Sequence, residues 1–139
     1  MNSYFIKYIW GPDAQRGCPW NDLVYFAEGQ EKAYQRFREC RRFLLYETGS
    51  KEGDQTGAKA IYARGIIASD QPSFIKEVLG RGKKFSYAVK VNLQKRVDPK
   101  KGIPLDRIRE TTGVGRNIQR KGGLLEVTKE QFEKLSNCL

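Results

Sequence analysis

The sequence predicts an α+β domain: a small, strongly curved mixed sheet or barrel with flanking helices. Three observations lead there. Short aromatic and β-branched runs outnumber the amphipathic helical segments, and Gly-, Pro- and Asp-containing turns join them. The order also lacks the regular strand–helix alternation and Gly-rich phosphate loop of a doubly wound nucleotide-binding sheet. With 139 residues the chain forms one domain, 1–139, large enough to bury its own core.

"YFIKYIW" (Tyr4 to Trp10) is aromatic and β-branched and is bounded by Gly11-Pro12, so it is the first strand. "DLVYFAEG" (Asp22 to Gly29) is a second. "EKAYQRFRECRR" (Glu31 to Arg42) places Ala33, Phe37 and Cys40 at helical spacing among charges. "FLLYE" and "AKAIYARGIIA" follow as strands, separated by the polar turn cluster "TGSKEGDQTG". "SDQPSFIKEVLGRG" predicts a helix, with Ser69 or Asp70 at the N-cap, Pro72 in the first turn and Gly80 at the stop. Phe85, Tyr87, Val89, Val91 and Leu93 alternate with polar residues, the period of a half-buried strand. A short helix over "IPLDRIRETTG", a strand "LLEV" and a helix over "TKEQFEKL" complete the order. That last helix starts with a capping box, Thr128 with Gln131 three residues later.

Charge is the strongest global signal. Lys and Arg number 26 against 16 Asp and Glu, a net charge of +10 that implies an anionic partner, nucleic acid foremost. The excess is concentrated late: between Arg81 and Lys121 the only acidic residues are Asp98, Asp106 and Glu110. No apolar run is long enough to span a membrane, and the N-terminus has no signal-peptide pattern. Three scattered cysteines fit neither a metal spacing nor an even disulfide framework, and point to the cytoplasm. Histidine is absent, which removes the usual general base and the commonest metal ligand. No catalytic residue, metal site or cofactor is therefore expected. Cys18, beside Arg16, is the sole and weak nucleophile candidate.

The binding candidates are better supplied. Tyr8, Trp10, Trp20 and Tyr46 lie at strand ends or in a loop beside one, where rings can stack a base. Asn21 next to Trp20, and Glu47 next to Tyr46, have the polar atoms needed to read a base edge. "GVGRNIQRKGG" (Gly113 to Gly123) combines close-approach glycines with Arg116, Arg120 and Lys121, suited to phosphate oxygens. Arg41, Arg42, Lys83 and Lys84 are further phosphate candidates.

These pieces together resemble the EVE domain of the PUA-like superfamily, a relative of YTH domains. The first strand "YFIKYI" stands where that family has a strand like "WLFKSEP". "RRFLLYETGS" and "GAKAIYARGII" match its "LVFFYHS" and "IVGIAEV" strands. The tail has the family's "IPL" followed by a helix, then an "RGG"-like segment and a final helix like "LTEEEFEKL". The likeness runs from about Tyr4 to Leu135. It departs at "KYIWGP", where "KSEP" is usual, and at Arg41-Arg42, where "GD" is usual.

The resemblance implies a pseudobarrel that reads nucleic acid and holds a modified base, methylated or hydroxymethylated such as 5-methylcytosine, in an aromatic cage. The cage would comprise Tyr8, Trp10, Trp20 and Tyr46, with Asn21 and Glu47 reading edges. It implies DNA ahead of RNA, with the base flipped from the duplex as in modification-dependent restriction. A nuclease or motor domain in the same protein or operon is then an expected partner, the chain being a domain excised from a larger protein. The alternatives are a PUA-like binder of structured or modified RNA, and a small hydrolase or nuclease, against which the missing histidine counts.

Overall fold

A computed structural model describes residues 3–11, 14, 17, 19, 22–53, 55–71, 77–79, 83–113 and 123–139; for 51, 52, 55, 77–79 and 83–86 it describes the backbone alone. The elements in chain order are β1 (Tyr4–Ile9), β2 (Leu23–Ala27), α1 (Glu31–Arg38), β3 (Arg42–Glu47), β4 (Lys51–Glu52), β5 (Gln55–Thr56), β6 (Ala60–Ile67), β7 (Glu77–Leu79), β8 (Lys83–Arg96), β9 (Ile103–Pro104), α2 (Leu105–Thr112), β10 (Leu124–Val127) and α3 (Lys129–Asn137). The main sheet runs β10-β1-β3-β6-β8-β2, with β7 added to β8 and β9 to β6. β1 and β3 are parallel; the other pairs are antiparallel.

The sheet curls into a half-barrel, and its register shows how. Irregularities interrupt the pairing at Phe26/Ala27, Leu45/Tyr46 and Arg64/Gly65, and each adds local bend and twist. Gly65 sits at one such bend, where a Cβ would lie 2.6 Å from the Asn92 carbonyl oxygen and 2.9 Å from Phe43. Only glycine lets β6 and β8 approach that closely.

Curling buries the central strands on both faces. Inside, Phe5 and Ile9 of β1, Phe43 and Leu45 of β3, Tyr62 of β6 and Val89 and Val91 of β8 form one core. α1 packs Ala33 and Phe37 into it, as the helical spacing predicted. Outside, Tyr4, Ile6 and Tyr8 of β1 and Leu44 and Tyr46 of β3 meet Ile108 of α2 and Phe132 and Leu135 of α3 in a second core. The capping box of α3 forms as expected: Thr128 Oγ1 accepts from Gln131 N at 3.1 Å, and Gln131 Oε1 from Thr128 N at 2.9 Å.

Three segments differ from their sequence-based expectation. The helix expected over Glu31 to Arg42 ends at Arg38, and Arg42 opens β3. The helix expected over Ser69–Gly82 is replaced, at Glu77–Leu79, by a strand whose partner is the start of β8, with Leu79 opposite Lys83. Three residues rich in glycine separate that pair, the spacing of a hairpin, and ladder bonds to a long neighbouring strand outweigh a weak helical pattern. The rest of that helix, including Pro72 and Gly80, lies outside the described residues. The polar cluster between β3 and β6 contains the small hairpin β4–β5, in which Gly53 has φ of 59°.

Candidate nucleic-acid interface

The parallel strands β1 and β3 end level with each other, with Ile9 opposite Glu47. Both then bend away, and the bend is held by one hydroxyl. Thr48 N donates to Ile9 O at 3.0 Å, while Thr48 Oγ1 accepts from Gly11 N at 3.0 Å and donates to Ser50 Oγ at 3.0 Å. Gly57 N returns to Ser50 O at 3.1 Å. The backbones touch so closely that a Cβ on Gly11 or Gly57 would overlap the Thr48 carbonyl oxygen. The result is a rigid lip at the mouth of the half-barrel.

Beside this lip opens a cleft of about 870 Å³. Ala14, Ala58, Val97 and Pro99 give it apolar walls, and Arg96, Asp98 and Lys100 line it with charge. The charged side comes from the end of β8. Val97 N bonds Tyr62 O at 2.8 Å, and Asp98 Oδ1 accepts from Lys100 N at 3.0 Å to cap a short 3-10 turn, Pro99–Lys101. The Arg96 guanidinium lies 5.6 Å from the Tyr62 ring centroid.

Glu47 lines the same cleft and is 1% exposed. Its Oε2 accepts from Ala58 N at 2.8 Å, whereas Oε1 is buried with no partner among the described residues. Burial raises its pKa above the ordinary carboxyl value; the Ala58 N–H opposes that shift, and the nearby charge of Asp98 adds to it. Oε1 is thus a buried acceptor for which the described residues supply no donor. Burial also pushes the Cys40 thiol up to about 12, so that cysteine stays protonated and inert.

The structure separates the residues expected to form a cage. Tyr46 and Glu47 are neighbours on one strand and so point to opposite faces. Tyr8 and Tyr46, 6% and 4% exposed, pack edge-on against each other, with ring centroids 5.1 Å apart, in the core under α2 and α3. Both therefore lie across the sheet from the Glu47 cleft. Burial raises both phenol pKa values, and the Tyr8 hydroxyl has no partner among the described residues. Trp10 is half-buried next to the lip, and its carbonyl accepts from Ala14 N at 3.0 Å. Trp20 and Asn21 lie outside the described residues.

The phosphate candidates are similarly dispersed. Arg41 and Arg42 stand at the opposite end of β3 from Glu47, about 17 Å away at five strand steps. Arg42 covers the Phe132 ring at 4.7 Å, and exposed Arg41 borders a separate groove with Tyr4, Thr128 and Lys129. Lys83 and Lys84 begin β8, where the backbone alone is described; Arg116, Arg120 and Lys121 fall outside the described residues. Among the described residues the basic ones at the cleft itself are Arg96 and Lys100, neither of which was among the expected phosphate candidates. Their signal was the Asp98-Pro99 turn at the end of the long alternating strand.

No family model matches the chain, and no curated protein matches it. Among solved structures it is similar to YTH domains of Mmi1. A complex titled YTH domain-containing protein mmi1 and RNA aligns with a TM-score of 0.62 at 11% identity, covering 98% of this chain and 80% of that one. An Mmi1 YTH domain aligns at 0.63 and 10% identity, covering 98% and 74%; a further crystal structure aligns at 0.62 and 11%, covering 98% and 93%. At such identities the likeness shows the fold, a YTH-like mixed half-barrel with flanking helices.

Proposed function

We propose that this chain is a non-catalytic nucleic-acid reader that takes one base of a single-stranded RNA into the cleft at the mouth of the half-barrel. The observation that carries this reading is the buried, unpartnered Glu47 Oε1 beside apolar walls, with Arg96 and Lys100 at the same opening. A flat base fits between Ala14, Ala58, Val97 and Pro99, the carboxyl group meets its edge, and the two cations meet the flanking phosphates. The net charge of +10 supports a polyanionic partner. The similar mmi1 structure holds RNA, which turns the preference away from the DNA expected from sequence. Physical chemistry favours the same direction. A base in a single strand reaches a cleft without the unstacking and unpairing that a duplex demands. A methylated base is compatible with apolar walls, and a flipped base in modified DNA remains the second reading, favoured by the EVE resemblance.

The test is a comparison by fluorescence anisotropy of single-stranded RNA, single-stranded DNA and duplex DNA, plain and modified, across a salt series. The expected result is tightest binding to single-stranded RNA, with steep salt dependence and a loss of affinity in the Arg96→Ala/Lys100→Ala double variant. An affinity flat in salt and unchanged by that variant would overturn the proposal.

A further inference from the structure

We infer that the cleft selects its base by hydrogen-bond donors, and that the guanine Watson–Crick edge is the one it is built to take. This rests on the reading of the cleft as a base site.

The argument is an inventory of polar groups. Four backbone N–H groups at the cleft are already engaged: Ala58 with Glu47, Val97 with Tyr62, Lys100 with Asp98 and Gly17 with Ala14. Beside the cationic heads of Arg96 and Lys100 and the Thr56 hydroxyl, the described lining offers two carboxyl groups as acceptors. Glu47 Oε1 has no donor, and Asp98 presents a second carboxylate, exposed, with one oxygen on Lys100 N. Both carboxyl groups belong to the lining of the same cleft. Oε1 lies buried behind the cleft wall, so a base seated there meets it by a small opening of that wall, with Oε2 kept on Ala58 N.

A ligand edge facing two carboxylates must present donors without an intervening lone pair. Uracil presents one ring N–H between two carbonyl oxygens, and those oxygens would face the carboxylates. Adenine and cytosine each set an amino group beside a bare ring nitrogen, so one contact is repelled wherever the other is made. Guanine alone sets N1–H beside N2–H2. A carboxylate accepting such donors forms a charge-assisted pair, the strong class of hydrogen bond. A polar site built this way rejects an analogue lacking the donor far more sharply than an apolar pocket rejects a change of size.

The experiment uses the whole chain and oligouridine of about nine nucleotides whose central position is guanosine, inosine, N1-methylguanosine, adenosine, cytidine or uridine, with free GMP as a separate ligand. Guanosine should bind tightest. Inosine, which lacks the 2-amino group, and N1-methylguanosine should each lose on the order of tenfold or more. In Glu47→Gln the amide places a donor where an acceptor was, and the guanosine advantage should disappear. Equal binding of all six oligonucleotides, all weakened by Arg96→Ala/Lys100→Ala, would overturn the inference and leave the reader intact. Failure of every oligonucleotide to bind would overturn both. GMP binding as tight as the guanosine oligonucleotide would keep donor selection and remove the RNA reading. The inosine and N1-methylguanosine comparisons use the unsubstituted chain, so they decide the matter even if Glu47→Gln fails to fold.

Discussion

Glu47→Gln should strengthen the fold while it destroys base selection, and that opposition distinguishes a binding group from a structural one. The substitution conserves shape. The amide oxygen can keep the bond from Ala58 N, and the amide nitrogen replaces the buried oxygen that has no donor. A buried unsatisfied polar group costs about 1–3 kcal/mol, and more when it carries charge. Trading an ionised group for a neutral one should therefore recover about 1 kcal/mol at neutral pH, some 4 °C in melting temperature for a chain of this length. The pH dependence follows from the raised pKa. The folded state holds the Glu47 proton above the ordinary value of 4.5, where the unfolded chain has released it. Unsubstituted protein is thus relatively more stable in acid, and loses that stability as pH rises through the folded value. The variant has no such loss, so the gap in melting temperature should open from about pH 4.5 upward and close on acidification. Affinity for the guanosine oligonucleotide should move the opposite way, falling as acid neutralises Glu47, with Asp98, Arg96 and Lys100 the other charged groups at the cleft. Calorimetry and anisotropy on the same samples make the measurement. A variant that melts several degrees lower at neutral pH and binds as before would refute the reasoning.

Three further outcomes follow from the geometry. Tyr8→Phe removes a buried hydroxyl without a partner, so it should raise stability by up to about 1 kcal/mol and leave RNA binding unchanged; thermal melting and anisotropy check both halves. Gly57→Ala drives a methyl into the Thr48 carbonyl at the rigid lip, so urea titration should show a loss of about 1–3 kcal/mol or more, with the cleft impaired alongside. Arg96→Ala/Lys100→Ala should reduce the slope of log affinity against log salt by about 1.4 for a single strand, one counterion increment of about 0.7 per phosphate contact; an unchanged slope would place the phosphates elsewhere.

The fold was legible where periodicity carried information. The alternation of Tyr87, Val89 and Val91 identified β8, and Ala33 and Phe37 identified the buried stripe of α1, because each element has one buried side. The Glu77–Leu79 strand was illegible because three residues have no usable period, and Pro72 and Gly80 gave that stretch the punctuation of a helix. Its pairing depends on β8 extending far enough to meet it, a property of the sheet and not of the segment. The hairpin β4–β5 carried a local signal, Gly53-Asp54, which a polar cluster concealed.

The site was half legible, and the reason lies in β1 and β3. Every residue of β1 is buried, and so is every residue of β3 after Arg42, because the half-barrel interior covers one face and α2 and α3 cover the other. Such strands lose the polar alternation that tells inside from outside. The sequence shows that Tyr46 and Glu47 oppose each other but not which of them faces the opening. Aromatic content suggests Tyr46, since rings stack bases. Physical cost suggests Glu47, since an aromatic ring is content in a core, whereas a carboxyl group there needs donors for both oxygens. Ala58 supplies one donor, and the other oxygen is left without a partner at the mouth of the half-barrel. In a chain buried on both faces, the polar residue that the core fails to satisfy therefore points to the proposed binding face, where the aromatic residue that the core absorbs does not.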